Sequence, residues 1–521
     1  MKLFILLLLL GAFCFAAPQP GDVFREYTWW KTDGDAGGAL RVGGREGTTD
    51  WGTDIVNGHW ETKWIDPGHD IDLKHATKAE LVVEKILCHD GTTGLSIKIN
   101  DSNWIDIPTP ATIPEPQAMY LHHVYPHVAI PLNILNEGKN NEFKMRVDTE
   151  QSWNWPQNLI YGVHFRIYYN GDKKNHPTGK ITSPQSGDAL GTEVNIMADA
   201  SSPSGDIQQI DFIGLYEGVN VEGDGVYRQW HYHFFHGEIT HHIGSDKTPP
   251  FSTTWQTDWI PDQQKPMRIA ARIIDESGMI TFTEPVTDLS FHRTDFSVEL
   301  CKPYDQPQVW VTRSGEFSEK VKIHGDIDNA VSYQLAWTSW SPGYMNGLYV
   351  NETKVFEKEG PKYQYFAHRL TFDDPSPLSA GVNTIKTGKT PKIDGHMVHG
   401  MEVQWPGIML LVKYDKSIDT SVDDGQNHSI EELVLDNYPN PFNNSTMINY
   451  QLSESDDICL SINNVIGQKV ITLVDTHQGA GRHQLFWNGK NDAGRNVSSG
   501  VYLINVVSNS AAATRKVTLL E

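Results

Sequence analysis

Apolar and polar residues alternate with period two along most of the 521-residue chain. Leu95, Ile97 and Ile99 in LSIKIN, Val128 and Ile130 in HVAIPL, and Val163, Phe165 and Ile167 in GVHFRIYY occupy every second position. That spacing places them on one face of a pleated strand. Stretches with the 3.6-residue period of a surface helix are nearly absent. The segment KHATKAELVVEKIL, residues 74–87, is ambiguous, but its Val-Val-Glu-Lys-Ile core lies between turn signals and favours a strand. The pattern predicts an all-β chain, with strands too short and too numerous for a single core.

Clusters of Pro, Gly and polar residues divide the pattern into blocks. NGDKKNHPTGKITSPQSGD, beginning at Asn170, separates a block spanning 18–172 from a second spanning 173–295. In the second, Val194 and Ile196 alternate, a Ser/Pro/Gly turn follows, Ile210 and Phe212 resume, and RIAARIIDESGMITF offers a hairpin turning at Glu276-Ser277-Gly278. This succession resembles immunoglobulin-like repeats and implies an Ig-like sandwich. A third block, 296–416, echoes the end of the first. PLNILNEG followed by NWP, and PLSAGVN followed by QWP, both run Pro-Leu, Gly, Asn, Trp-Pro and an apolar closing strand. The echo resembles galactose-binding-like jelly rolls, which implies two jelly-roll-like sandwiches flanking the Ig-like one, in a class common among secreted glycan-active proteins. Residues 417–432 are polar and acidic and cannot bury a core, so they are expected to form a linker before a last block, 433–521.

Composition narrows the partners. The formal charge is −23, with no cluster of Lys and Arg of the kind that binds phosphate backbones, so no nucleic-acid partner is expected. Residues 1–17 join Lys2, an apolar run and small residues at Ala16 and Ala17, the build of a cleaved signal peptide. Phe13 before Cys14 argues against lipid attachment, which needs a small residue there. No later apolar run reaches the roughly 18 residues of a membrane helix. Cys88, Cys301 and Cys459 are few and widely spaced, and each sits in a strand-like apolar context, so buried thiols are expected rather than a disulfide framework.

The last block opens with YPNPFNNSTMINYQL, in which Pro439 and Pro441 hold the chain extended. Thr446, Ile448, Tyr450 and Leu452 then take one face of an entry strand. Its elements are Tyr438-Pro439-Asn440-Pro441-Phe442, Gly467-Gln468, Ala480-Gly481-x-His483, Trp487-Asn488-Gly489, Asp492-x-Gly494, Ser499-Gly500-Val501-Tyr502 and Lys516 before Leu519-Leu520. In order and spacing the block resembles the C-terminal sorting domain of the type IX (Por) secretion system, which overlaps the immunoglobulin-like fold of FlgD. It departs from the family at Asn444, where a second proline is usual, and at Asn463, where an aromatic is. The resemblance implies export across the inner membrane, recognition by the type IX machinery at the outer membrane, and release or attachment at the cell surface.

Chemistry in the preceding blocks is sparser. In WHYHFFHGEITHH, residues 230–242, His231 and His233 share a strand face, and a turn at His236-Gly237 could return Glu238 or His241 beside them as zinc ligands. The same pattern also fits a His-rich hairpin packing Trp230, Phe234 and Phe235 inward. LHHVYPHV offers a weaker histidine cluster, and Asp33 and Asp35 in TDGDAGG offer oxygen ligands for calcium or a plain turn. Neither Ca nor Zn has a specific motif, and no cofactor is predicted. Sugars stack on Trp and Tyr faces, which makes Trp29, Trp30, Trp153, Trp155, Trp337, Trp340 and Tyr344 candidates for glycan contact or for core packing. GxSxG, phosphate-loop and dinucleotide fingerprints are missing from the sequence, and no carboxylate pair stands out. The sequence favours a non-catalytic glycan-binding or adhesion protein, with a glycan-active hydrolase, lyase or amidase as the alternative.

Overall fold

The computed structural model describes residues 18–30, 40–43, 71–87, 92–109, 113, 121–138, 141–148, 157–392, 399–416, 434–443, 445–452, 456–464, 469–479, 481–491, 495–507 and 512–520. Among them, helix is confined to isolated 3-10 turns and strand dominates, so the chain is all-β. It divides into two compact units, Met1–Ser417 and Ile418–Glu521.

The alternating positions predicted from sequence form the cores. Ala76–Leu87, the ambiguous segment, is a strand that pairs antiparallel along Gln157–Tyr169, and Val23–Trp30 lies on the other side of Gln157–Tyr169. Opposite this sheet stands a small one of Ile105–Asp106, Ser96–Ile99 and Phe143–Arg146. Leu81, Val83, Val163, Phe165 and Ile167 from the first face meet Ile97, Ile99, Phe143 and Met145 from the second, closing a sandwich.

The second sandwich packs Thr178–Ser183, Glu193–Ser201 and Phe251–Gln256 against Ile207–Glu217, Met267–Asp275 and Val286–Phe291. Its hairpin turns at Glu276-Ser277-Gly278, as the sequence suggests. Asp275 accepts from the Ser277 and Met279 amides at 3.0 and 3.1 Å, and Gly278 takes φ +77°, a conformation glycine adopts without strain. In the third sandwich, Phe296–Cys301, Met409–Asp415, Ala330–Trp340, Tyr365–Phe372 and Glu402–Val403 face Phe317–Ile323, Gly381–Thr387, Leu348–Val350 and Thr353–Phe356.

These three sandwiches are fused. Val23, Phe24 and Arg25 pair with Thr281, Ile280 and Met279, so the larger sheets of the first two run on as one 13-stranded sheet. That pairing satisfies two edges that would otherwise present unpaired backbone groups to solvent. Phe24 and Tyr168 pack with Ile213, Ala270 and Phe282 across this join. Trp340 of the third sandwich packs on Ile86, Leu159 and Tyr161 of the first, and Val219 and Val221 of the second pack on Ala336, Met409 and Leu411 of the third. Leu121 reaches into the third sandwich's core, and the Trp405 amide donates to the Leu121 carbonyl at 2.7 Å. At Gly223 the three meet: a Cβ there would stand 2.5 Å from the His123 carbonyl oxygen and 3.7 Å from that of Trp405.

Fusion buries the second face of the composite sheet. Residues that alternation assigns to solvent, among them Glu80, Glu84, His164, Arg166, Asp211 and Arg272, are buried. They are paired: Arg166 donates to Glu26 at 2.6 Å and to Glu80 at 3.0 Å, and Arg272 donates to Asp211 at 2.6 Å and to Glu26 at 2.9 Å. Burial alone would raise the Glu26 carboxyl, but the two guanidinium charges outweigh it and hold it at about 2.

The second unit is a smaller sandwich. Val434–Tyr438, Thr446–Leu452 and Gly481–Trp487 form one sheet, and Lys469–Gln478, Asp456–Asn464, Gly500–Val507 and Ala512–Leu519 form the other. Thr446, Ile448, Tyr450 and Leu452 are all buried, the face the alternation assigns inward. Cys301 is buried and in no disulfide, whereas Cys459, expected inside, is exposed because its strand turns Ile458, Leu460 and Ile462 to the core instead. The signal segment, Cys88, Asp33, Asp35 and the acidic linker lie outside the described residues.

Candidate functional site

The His-rich segment forms the predicted hairpin. His233, Phe234 and Phe235 pair with Thr240, Ile239 and Glu238, and the turn at His236-Gly237 takes φ of +49° and +82°, the left-handed pair that a two-residue hairpin turn requires. It lies over the buried ionic network, with Phe234 packed at a tilt 4.0 Å from the His164 ring and facing the Arg166 and Arg272 guanidinium groups at 5.9 and 5.5 Å. Its other edge meets the third sandwich, where Phe235 lies 5.1 Å from the Tyr365 ring. The hairpin is thus a keystone of the three sandwiches.

That role engages both ring nitrogens of His231 and buries those of His233 without a hydrogen bond. His231 faces two acceptors, Glu222 at 3.0 Å from Nδ1 and the Tyr216 carbonyl at 3.1 Å from Nε2, which leaves no lone pair for a metal. His233 stacks on His241 at 4.6 Å, and burial followed by the neighbouring histidines pushes it well below the usual imidazole range. Glu238 is exposed on the far side of the turn. Among the described residues no three His, Cys, Asp or Glu side chains converge to hold a metal ion. The enclosed space beside His231 and His241 is about 20 Å³, room for about one water.

Glu84 carries no signal in the sequence, although its partner His123 belongs to the weaker histidine cluster LHHVYPHV and its partner His236 to the hairpin turn. Burial raises the Glu84 carboxyl to about 8 and lowers His123 to about 3. Both shifts favour the neutral forms of this hydrogen-bonded pair, whose atoms lie 3.0 Å apart, and the His236 amide donates to the other Glu84 oxygen at 3.3 Å. His123 packs edge-on to Tyr365 at 4.4 Å. All of it is sealed inside the junction.

The aromatic candidates separate by exposure. Trp337 is fully buried, its ring flat against His368 at 4.0 Å, and Trp340 is buried with its indole N–H donating to the Tyr161 hydroxyl at 3.2 Å. Neither offers a face to a sugar: both alternate with polar neighbours in sequence, but their strand has covered faces on both sides. Trp153 and Trp155 lie outside the described residues, as do the side chains of Trp29 and Trp30. Tyr344 differs. It ends the 3-10 turn Pro342–Tyr344, donates its hydroxyl to that of Tyr363 at 2.7 Å, and has the Lys362 ammonium 4.7 Å over its ring. Tyr363 is 40% exposed, and His399 stands edge-on to it at 5.0 Å. Together they make a solvent-facing aromatic platform bordered by a cation. Tyr363 and His399 come from loops remote in sequence, with no local signal to link them to Tyr344.

In the second unit the opening motif clasps the final strand. Asn440 donates to the Lys516 carbonyl at 2.7 Å and accepts from the Thr518 amide at 2.9 Å. Phe442 exchanges backbone hydrogen bonds with Thr518 and Leu520 at 2.8 and 2.7 Å. Its ring packs on Trp487 at 5.3 Å, and Trp487 packs on Tyr502 at 5.2 Å. Gly489, at φ +65°, leaves room for Phe442 and Leu519, and the Pro439 carbonyl accepts from Thr446 at 2.8 Å. Tyr438 closes the first strand, Pro441 is exposed in the turn, and Gly481 and Gly500 begin strands. Gly467 lies outside the described residues.

Comparison with known proteins agrees on the Ig-like modules. A model of bacterial Ig domains matches residues 177–269, and a model of the FlgD Ig-like domain matches residues 443–512. No curated protein matches the chain. Among solved structures, it is similar to the fibronectin(III)-like modules of CbhA from Clostridium thermocellum, at 16% identity over 40% of this chain and 84% of that one, with a TM-score of 0.16. Dimeric latent PorU from Porphyromonas gingivalis shares 13% identity over 68% of this chain and 35% of its own, with a TM-score of 0.17. A DUF4785 family protein from Legionella pneumophila shares 9% over 77% and 90%, with a TM-score of 0.21. Scores this low carry no argument about function. The chain carries a bacterial Ig domain in its first unit and a FlgD-type Ig-like domain in its second.

Proposed function

We propose that the chain is an exported bacterial protein whose last block, 433–521, is the address read by the type IX machinery, and whose preceding sandwiches contact extracellular glycan without catalysis. The address reading rests on the clasp: residues of the opening motif hold the last strand, so the motif that resembles the sorting family is also what closes the fold. A folded recognition element needs such closure, because an open edge strand would pair indiscriminately. The cargo reading rests on the platform of Tyr344, Tyr363 and His399, where ring faces and a nearby ammonium reach solvent, the combination that stacks a sugar ring and bonds its hydroxyls.

Two experiments test these halves. In a bacterium with a type IX system, deletion of 433–521 is expected to abolish appearance of the protein outside the cell or on its surface. Unchanged export would overturn the address. On a glycan array, the full chain is expected to be retained without releasing product, and Tyr344→Ala with Tyr363→Ala to lose at least tenfold in affinity. Product release would replace binding by catalysis.

A further inference from the structure

A recess of about 450 Å³ opens where the first two sandwiches join, a size typical of small-ligand sites. Its lining holds Arg25, Lys74, His75, Lys173 and Lys174 against a single carboxylate, Asp72. On a chain of net charge −23 this is a local reversal of sign. Asp72 is committed: it pairs with Lys174 and accepts from the Lys74 amide at 2.7 Å. Lys74 and Lys173 are exposed and have no carboxylate partner among the described residues. Lys174 is further fixed 4.6 Å over the Tyr169 ring.

The cations stand on a stiff frame. The Lys173 and Lys174 amides both donate to the Asn170 carbonyl at 3.1 Å, and the Asn170 amide donates to the His75 carbonyl at 2.9 Å, tying the two lysine-bearing loops together. His75 is held at φ +68°, a sparsely populated conformation for a side-chain-bearing residue. Arg25 is the last of the residues that pair with the second sandwich and lies against Gly278, where a Cβ would come 3.2 Å from its Nε. Asn175, Ser204 and Ser277 add neutral hydrogen-bonding groups.

We propose that this recess binds an anionic saccharide, its carboxylate or sulfate held by Lys74 and Lys173 and its hydroxyls by the neutral groups. The surface is distinct from the platform of Tyr344 and Tyr363. A short acidic sugar fits better than a long polyanion, because the remaining surface of a chain this negative repels extended negative charge.

The test is titration calorimetry of the full chain with a galacturonic acid trisaccharide, a sulfated disaccharide, the neutral galactose trisaccharide, inorganic sulfate and a single-stranded oligonucleotide. One or both acidic sugars are expected to bind, more weakly as salt rises, and Lys74→Glu with Lys173→Glu to weaken them at least tenfold without moving the thermal midpoint. Tyr344→Ala with Tyr363→Ala is expected to leave this binding intact, so failure at the platform and failure at the recess are read separately. No binding of either acidic sugar, equal affinity in the charge-reversed variant, equal affinity for sulfate alone, or equal affinity for the oligonucleotide would each overturn the assignment.

Discussion

Asn440 shows how much a single side chain can fix. Its amide meets both a carbonyl and an amide of the last strand, so Asn440→Ala leaves two backbone groups to find water instead. The expected cost is about 1–3 kcal/mol, read as faster amide exchange across 512–520 in the full chain; unchanged exchange would remove the clasp from the account. Arg272 is the converse case, a buried cation between two carboxylates. Arg272→Met leaves Asp211 without its cation and Glu26 with Arg166 alone, and is expected to destabilise by roughly 3–5 kcal/mol, the usual cost of breaking one side of a buried pair. Denaturant unfolding measures it. Glu84 carries a pH signature. Its folded value of about 8 lies above the ordinary 4.5, so the unfolded chain releases this proton first and stability falls as pH rises from about 4.5 to about 8. Glu84→Gln keeps the hydrogen bond to His123 without the ionisation. It is expected to be nearly neutral at pH 5 and to gain on the wild type by a few kcal/mol at pH 9, at about 1.4 kcal/mol per pH unit. An equal effect at both pH values would show that Glu84 ionises freely in the folded chain.

At the scale of the hairpin, Phe234 joins the covered network to the covering strand. Phe234→Ala should cost about 3–5 kcal/mol by cavity formation alone, and it also admits water to Arg166 and Arg272. Loss of protection should therefore appear together in 233–240 and in the strand carrying Arg166; confinement to the hairpin would argue against the keystone role. The same element marks the limit of what was legible in the sequence. Its strands and its His236-Gly237 turn were readable, because turn geometry and alternation are local properties. His241 beside His233 was readable too, as the return of the hairpin, whereas Glu222 and the Tyr216 carbonyl, which fix His231, reach it from outside the hairpin and gave no local signal. Likewise Val163, Phe165 and Ile167 were readable as one buried face, while His164 and Arg166 on the opposite face look solvated until another domain covers them. Trp337 and Trp340 suffer the same ambiguity: an aromatic in an alternating strand carries no mark telling a ligand platform from its own sandwich's core, where Trp337 sits, or from an interface between sandwiches, where Trp340 sits.

Across the first unit, continuity of the sheet and three apolar junctions imply that its sandwiches share one unfolding event. Val23–Arg25 cannot leave Met279–Thr281 without exposing Phe24, and Leu121 cannot leave the third core without opening the backbone hydrogen bond to Trp405. Acid should reveal this coupling. His122, His123 and His164 are buried and neutral, each lowered by burial to about 3 from 6.5. At these three sites the unfolded chain therefore binds more protons between those values, and their combined contribution to stability is lost as pH falls below about 6.5, against the smaller opposite contribution of Glu84 alone. Glu26, depressed to about 2, adds to the loss only below about 4.5, where its unfolded counterpart takes up a proton. Two of these histidines lie beside the third sandwich and one beneath the hairpin of the second, so protonation strains all three junction partners at once. Hydrogen exchange at pH 7 and pH 5 should show strands of all three sandwiches losing protection by the same factor. If the third kept its protection while the first two lost theirs, the junction at Trp340, Leu121 and Gly223 would be a contact between independent domains, and the recess and the platform would belong to separately folding parts.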